Sequence, residues 1–152
     1  MTRVLLCKRG IEPRIGKWGF PQGFMELGET TRMGAARETI EEAGATCEPG
    51  PLLAVYNLPG QVQLLYLAKV AVGEENGSDS PHAIKSGVET LEAQFFTWDE
   101  IPEEDELAFP TVAWALEFAK EKIPQWRASI PFVPQQRAKL FFGEKVGFTE
   151  EG

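Results

Sequence analysis

The sequence predicts a single α/β domain, and three observations carry that prediction. At 152 residues, with 43% hydrophobic and 11% aromatic content, the chain is long enough to bury one real core. Several short Val-, Leu- and Phe-rich runs end in Gly, Pro or Asn clusters, the pattern of strands and turns. Two further stretches, around residues 31–44 and 111–122, repeat apolar residues at helical spacing.

The elements follow in order. Val4-Leu5-Leu6-Cys7 reads as an apolar strand closing in Lys8-Arg9, and Ile11 to Trp18 reads as a loop containing Pro13 and Gly16. The next helix takes Thr30 or Thr31 as its N-terminal cap, and Gly44 suits its C-terminal end. At about 100° per residue, Met33, Ala36, Ile40 and Ala43 share a face, and Glu38, Glu41 and Glu42 lie almost diametrically opposite. Leu52 to Tyr56 and Val62 to Val72 are strands separated by the turn cluster Asn57-Leu-Pro-Gly60. Gly73 to Gly87 is polar and reads as a mobile loop, with His82, the sole histidine, exposed in it. Ala93 to Trp98 is a strand, and Thr111 to Lys122 a helix with Val112, Ala115, Leu116 and Ala119 on one face. From Pro124 onward the prolines predict an extended tail, 124–152, with a short strand near Leu140 to Phe142, following a domain over 1–123. No internal repeat or low-complexity segment is visible.

Composition narrows the function classes. The net charge of −8, from 15 basic and 23 acidic residues, disfavours duplex nucleic acid and anionic membranes as partners. No apolar run reaches a transmembrane length. Cys7 and Cys47 are too few and too isolated for a disulfide framework or a zinc site, so both read as buried free thiols. That usage suits a reducing compartment: the cytoplasm, or a plastid if the source is a plant or alga.

The chemistry concentrates in Gly23-Phe-Met-Glu-Leu-Gly-Glu29 and Arg37-Glu38-Thr-Ile-Glu41-Glu42-Ala-Gly44-Ala45. On a helix, Glu38, Glu41 and Glu42 stand side by side, and like charges at that range repel unless something positive sits among them. Only Arg37 precedes them, with no Lys following at the pairing distance. A site for Mg²⁺ or Mn²⁺ made of carboxylate oxygens accounts for the cluster better than a solvated acidic face.

This spacing resembles the signature of the Nudix hydrolases, enzymes that cleave nucleoside diphosphates linked to another moiety. Every charged and glycine position of that signature is present, and Thr39 and Ala45 replace the more usual larger aliphatic residues. The resemblance implies an α/β/α sandwich with a mixed central sheet. It implies that Glu38, Glu41 and Glu42 ligate the metal together with the backbone carbonyl of Gln22, and that Arg37 orients the glutamates and pairs with Glu29. Related enzymes often take the general base from a glutamate on the loop before the last core strand. Here that loop offers Glu89 and Glu92, and Glu41 is the alternative. Among substrate contacts, Trp18, Phe20 and Tyr56 are candidates to stack on a ring, and Arg9, with Lys8 and Arg14, to meet phosphates.

The wider chain, roughly residues 4–118, is similar to the branch containing plant chloroplast and bacterial hydrolases of FAD and ADP-ribose. The residues concerned include Leu6 to Trp18, Phe96-Thr-Trp-Asp-Glu-Ile-Pro102 and Leu107-Ala-Phe-Pro110. Phe20-Pro-Gln-Gly23, however, resembles Nudix enzymes acting on dinucleoside polyphosphates or RNA 5′ ends, which keeps a second substrate class open. A non-catalytic nucleotide-sensing module is the third reading. The family usually carries a strand before the one at Val4, and the branch often a zinc ribbon. The expectation is therefore that the first strand is missing or replaced, with an open sheet edge that favours a homodimer.

Overall fold

The computed structural model describes residues 2–71, 89–139 and 145–147. The expected loop at 73–87 with His82, and the expected strand near Leu140, lie outside the described residues. Among the described residues the fold is mixed α/β, with two sheets and two α-helices. The elements run β1 (Arg3–Arg9), β2 (Trp18–Gly19), α1 (Thr31–Ala43), β3 (Thr46–Leu58), β4 (Gln61–Ala71), β5 (Thr90–Thr97), α2 (Pro110–Arg127), β6 (Gln135–Lys139) and β7 (Lys145–Gly147). One sheet has the order β2-β1-β5, and the other β4-β3-β6-β7. The chain divides into two compact units, 1–49 with 68–113, and 50–67 with 114–152; β3 and β4 contribute residues to both.

In the first unit, β1 pairs antiparallel with both β2 and β5. The loop between β1 and β2 is closed at its base, where Arg9 N–H donates to the Lys17 carbonyl at 2.8 Å and Gly16 N–H to the Arg9 carbonyl at 2.7 Å. Leu5 and Cys7 from β1 meet Ala43 and Ala45 at the end of α1, with Val70, Ala93 and Phe95 packed against them. Burial pushes the Cys7 thiol up to about 12, so it stays protonated and inert. Cys47 is also free but only half-buried.

The cap of α1 is Thr30, whose side chain accepts from Met33 N–H at 3.2 Å. Gly44 ends the helix at φ 64°, a left-handed conformation that glycine adopts without a Cβ penalty. The buried face of α1 is not the apolar stripe that periodicity marks on it. Gly34, Glu38, Thr39 and Ala43 are buried, whereas Met33 is 55% and Ile40 48% exposed. The helix is turned by its polar partners: Glu38 is held inward by Arg37, and the Thr39 hydroxyl bonds back to the Ala35 carbonyl at 2.8 Å.

In the second unit, β3 runs parallel to β6, with Tyr56 in register with Arg137. Helix α2, whose first residues up to Ala113 belong to the first unit, buries the residues predicted for its apolar face, Val112 and then Ala115, Leu116 and Ala119. It continues past the expected stop, taking Pro124 within its last turns and closing with Ala128 N–H on the Pro124 carbonyl at 3.1 Å. Tyr56 is fully buried, edge-on to Trp114 at 5.4 Å, and its hydroxyl donates to Gln135 Oε1 at 2.7 Å. Arg137 stacks on the same Trp114 ring at 3.9 Å. Tyr56→Phe strands the Gln135 acceptor, so we expect a loss of about 1 kcal/mol in stability, read by urea denaturation, without loss of catalytic function.

Candidate active site

The site lies wholly within the first unit, on the loop before α1, on α1 itself, and on the facing ends of β1 and β5. The loop 23–30 must present its backbone to a helix that carries acids, and Gly23 makes this possible. A Cβ at that position would overlap the Glu38 carboxyl group. On the same loop, Glu29 turns back and accepts from Glu26 N–H at 2.7 Å through Oε1.

Arg37 ties these parts together. Its Nε and Nη2 donate to the two oxygens of Glu29 at 3.0 and 2.9 Å, the bidentate geometry a guanidinium favours. Its Nη1 reaches Glu38 Oε1 at 2.8 Å and Glu41 Oε2 at 3.0 Å, and its Nη2 also reaches the Phe24 carbonyl at 2.9 Å. Glu26, which the sequence reading passed over, adds an ion pair at 3.5 Å. The one signal for it was its position three residues before Glu29 in the acidic loop.

The carboxylates are not equivalent. Arg37's hydrogen bond holds the Glu29 carboxyl below its ordinary range, and the Glu29 side chain is only 9% exposed. Burial raises Glu38, against the lowering effect of Arg37, while the charges of Glu41 and Glu89 add to the rise. Burial likewise lifts Glu42 to about 7, with Glu38 and Glu89 repelling its charge, and with Gln22 N–H (2.9 Å from Oε2) and Arg9 opposing the shift. Glu41, with a side chain 54% exposed, pairs with Arg37.

An acid whose pKa is higher folded than unfolded takes up a proton on folding, so its ionisation penalises the fold. The Glu42 contribution is therefore favourable near or below pH 4.5 and is lost as pH rises through about 7. We expect Glu42→Gln, which keeps an acceptor for Gln22 N–H, to raise the melting temperature of metal-free protein at pH 8 and to change it little at pH 4.5. A pH series of thermal melts checks this.

The two loop candidates for the general base separate. Glu89 is anchored by Gly10 N–H on its carbonyl at 2.9 Å, and its charge acts on both Glu38 and Glu42. Glu92 lies within β5, not on the loop expected to precede it, and is paired in register with Lys8. Arg9 stacks on Phe109 at 5.1 Å and donates from Nε to the Pro13 carbonyl at 2.8 Å, which fixes its guanidinium near Glu42. Trp18, on β2, is half-buried, edge-on to Phe96 at 5.0 Å. Phe20 follows β2 and is half-buried, and Arg14 is exposed on the loop between β1 and β2. Tyr56 is the correction among the stacking candidates, because full burial leaves no ring face for a ligand.

The donor set suits a hard divalent cation: all-oxygen, anionic, and carrying two carboxyl groups whose charge is otherwise penalised by burial and mutual repulsion. In the present arrangement Arg37 pairs with Glu38 and Glu41, and Gln22 meets Glu42 through its N–H rather than its carbonyl. Among the described residues, no three acidic, His or Cys side chains stand close enough together to hold an ion as they are placed.

The NUDIX domain model matches residues 1–116. The chain is 31% identical over 107 residues to the ADP-ribose pyrophosphatase of Methanocaldococcus jannaschii, covering 66% of this chain and 58% of that protein. It is 35% identical over 100 residues to the human 8-oxo-dGDP phosphatase NUDT18, covering 65% of this chain and 29% of that one. Among solved structures, a NUDIX hydrolase from Nitrosomonas europaea superposes with a TM-score of 0.70 at 38% identity, over 91% of this chain and 72% of that one. The chain thus spans less than two thirds of the length of either named relative.

Proposed function

The chain belongs to the NUDIX family, and from that membership we propose that it hydrolyses the pyrophosphate bond of a nucleoside diphosphate derivative with the help of Mg²⁺ or Mn²⁺. FAD would give FMN and AMP; ADP-ribose would give AMP and ribose 5-phosphate. The observation that carries this reading is the pair of glutamates on α1, buried Glu38 braced by Arg37 and half-buried Glu42 held by Gln22 N–H, both within reach of the Glu89 charge.

Glu38, Glu41 and Glu42 would hold the cation, with the Gln22 carbonyl as a further ligand. When bound, the ion supplies charge neutralisation for the diphosphate and lowers the pKa of water. The chain's own residues do the rest. Arg37 keeps Glu38 and Glu29 in fixed orientation, as the family resemblance implied. Glu89 accepts the proton from the attacking water as its oxygen bonds to phosphorus, and the bridging oxygen leaves with the second phosphate. Arg9, held by Phe109 and the Pro13 carbonyl, offers its guanidinium to a phosphate oxygen.

The archaeal relative's name supports ADP-ribose, and the flanking motifs support FAD or ADP-ribose. Phe20-Pro-Gln-Gly23 favours a second reading, hydrolysis of dinucleoside polyphosphates or RNA 5′ ends, and the human relative's name adds 8-oxo-dGDP. A homodimer with a small-molecule substrate completes the proposal. The test is a product-resolved assay against FAD, ADP-ribose, NADH, diadenosine polyphosphates, 8-oxo-dGDP and a triphosphorylated RNA. Greatest kcat/KM on FAD or ADP-ribose upholds the first reading; preference for polyphosphates or RNA transfers it to the second. Tight nucleotide binding without turnover would make the chain a sensing module instead.

A further inference from the structure

Across the sheet β2-β1-β5 runs a row of three side chains that the hydrolytic step leaves unused. Lys8 on β1 is in register with Trp18 on β2 and with Glu92 on β5. Register partners in antiparallel strands project from the same face, so the three form one line. The Lys8 ammonium lies over the Trp18 ring at 5.8 Å from its centroid. The indole is itself locked edge-on against the buried Phe96 at 5.0 Å and 84°. Opposite charges at 8 and 92 face each other across the strands, yet no ion pair joins them among the described residues. Among the described residues, neither the Lys8 ammonium nor the Glu92 carboxylate has a hydrogen-bond partner, and the ring face beneath Lys8 leaves its N–H groups available to a ligand.

The local backbone explains how two nearby glutamates serve different ends. Lys8 pairs with Glu92 but Arg9 pairs with Thr90, which leaves Leu91 as an extra residue in β5. Such a bulge breaks the alternation of side chains and re-aims them, and bulges recur beside active sites. On one side of it, Glu89 acts on Glu38 and Glu42. On the other, Glu92 is exposed and beside Lys8.

We propose that Lys8 and Glu92 read the edge of an adenine ring, with Trp18 positioning the lysine. The Glu92 carboxylate accepts from the 6-amino group, and the Lys8 ammonium donates to the neighbouring ring nitrogen. Charged partners make both hydrogen bonds stronger than neutral ones. The inference rests on the pyrophosphatase reading, because FAD and ADP-ribose share an adenosine diphosphate half. Hypoxanthine presents the opposite order, an oxygen where adenine has its amino group and an N–H where adenine has an acceptor. Against a lysine donor and a carboxylate acceptor, both contacts then become repulsive.

The experiment measures equilibrium binding of AMP and IMP by calorimetry to wild type, Lys8→Met and Glu92→Ala, alongside steady-state turnover of ADP-ribose. AMP should bind wild type about tenfold or more tighter than IMP, a site built for one hydrogen-bond pattern rejecting the other. Each substitution should bring that ratio toward one, with the loss in ADP-ribose turnover falling mainly on KM. Equal binding of AMP and IMP to wild type would overturn the proposal. So would a ratio that survives both substitutions, or a fall in kcat alone for Glu92→Ala, the mark of a general base. An intact AMP preference without turnover would uphold the base-reading row and refute the pyrophosphatase reading instead.

Discussion

Glu42→Gln should reduce turnover of the preferred substrate by about 10²-fold or more, while the metal-free protein at pH 8 becomes more stable. Loss of a residue that merely supports a metal ligand costs about 10–100-fold, and loss of a ligand itself should cost at least as much. The stability gain has the opposite sign because burial and the charges of Glu38 and Glu89 penalise ionised Glu42 in the fold. A structural carboxylate would show both quantities falling together. Melting curves and kcat/KM measured on the same preparation decide between the two.

Gly23→Ala is the second large effect. The added methyl occupies the space of the Glu38 carboxyl group, so that group has to move. It is the far end of a flexible side chain, and Gly23 is itself exposed, so the fold can yield at modest cost. The chemistry cannot. Glu38 leaves the place where Arg37 Nη1 holds it, and a displacement of about 1 Å near a reacting centre costs about 10²-fold in rate. We expect nearly normal thermal stability with activity down by about that factor. Unchanged activity would show that Glu38 does not need its observed position.

The site was more legible in the sequence than the packing around it. Spacing alone placed Glu38, Glu41 and Glu42 together on one helix, because the period of a helix is fixed by its backbone. The Thr30 cap and the Gly44 stop were legible for the same reason, since both are local chemistry. The inward face of α1 was not legible, because apolar periodicity does not register a charge network that pulls an acid inward, as Arg37 does with Glu38. Pro124 was read as a stop because it removes a helical N–H donor, yet α2 carries it in its last turn and runs on to Arg127. Tyr56 looked like a ring platform because its burial depends on partners far away in sequence, Trp114 and the parallel strand β6. The different placements of Glu89 and Glu92 depended on a bulge that no local pattern announces.

The most direct measurement of the central claim is hydrolysis of ADP-ribose and FAD by protein stripped with EDTA, as Mg²⁺ is titrated back and products are resolved by chromatography. The account predicts no turnover above background without the ion, and a saturable rise with it. AMP should appear with ribose 5-phosphate from ADP-ribose, or with FMN from FAD. Turnover that ignores the metal, or products cleaved anywhere other than the diphosphate bridge, would contradict it.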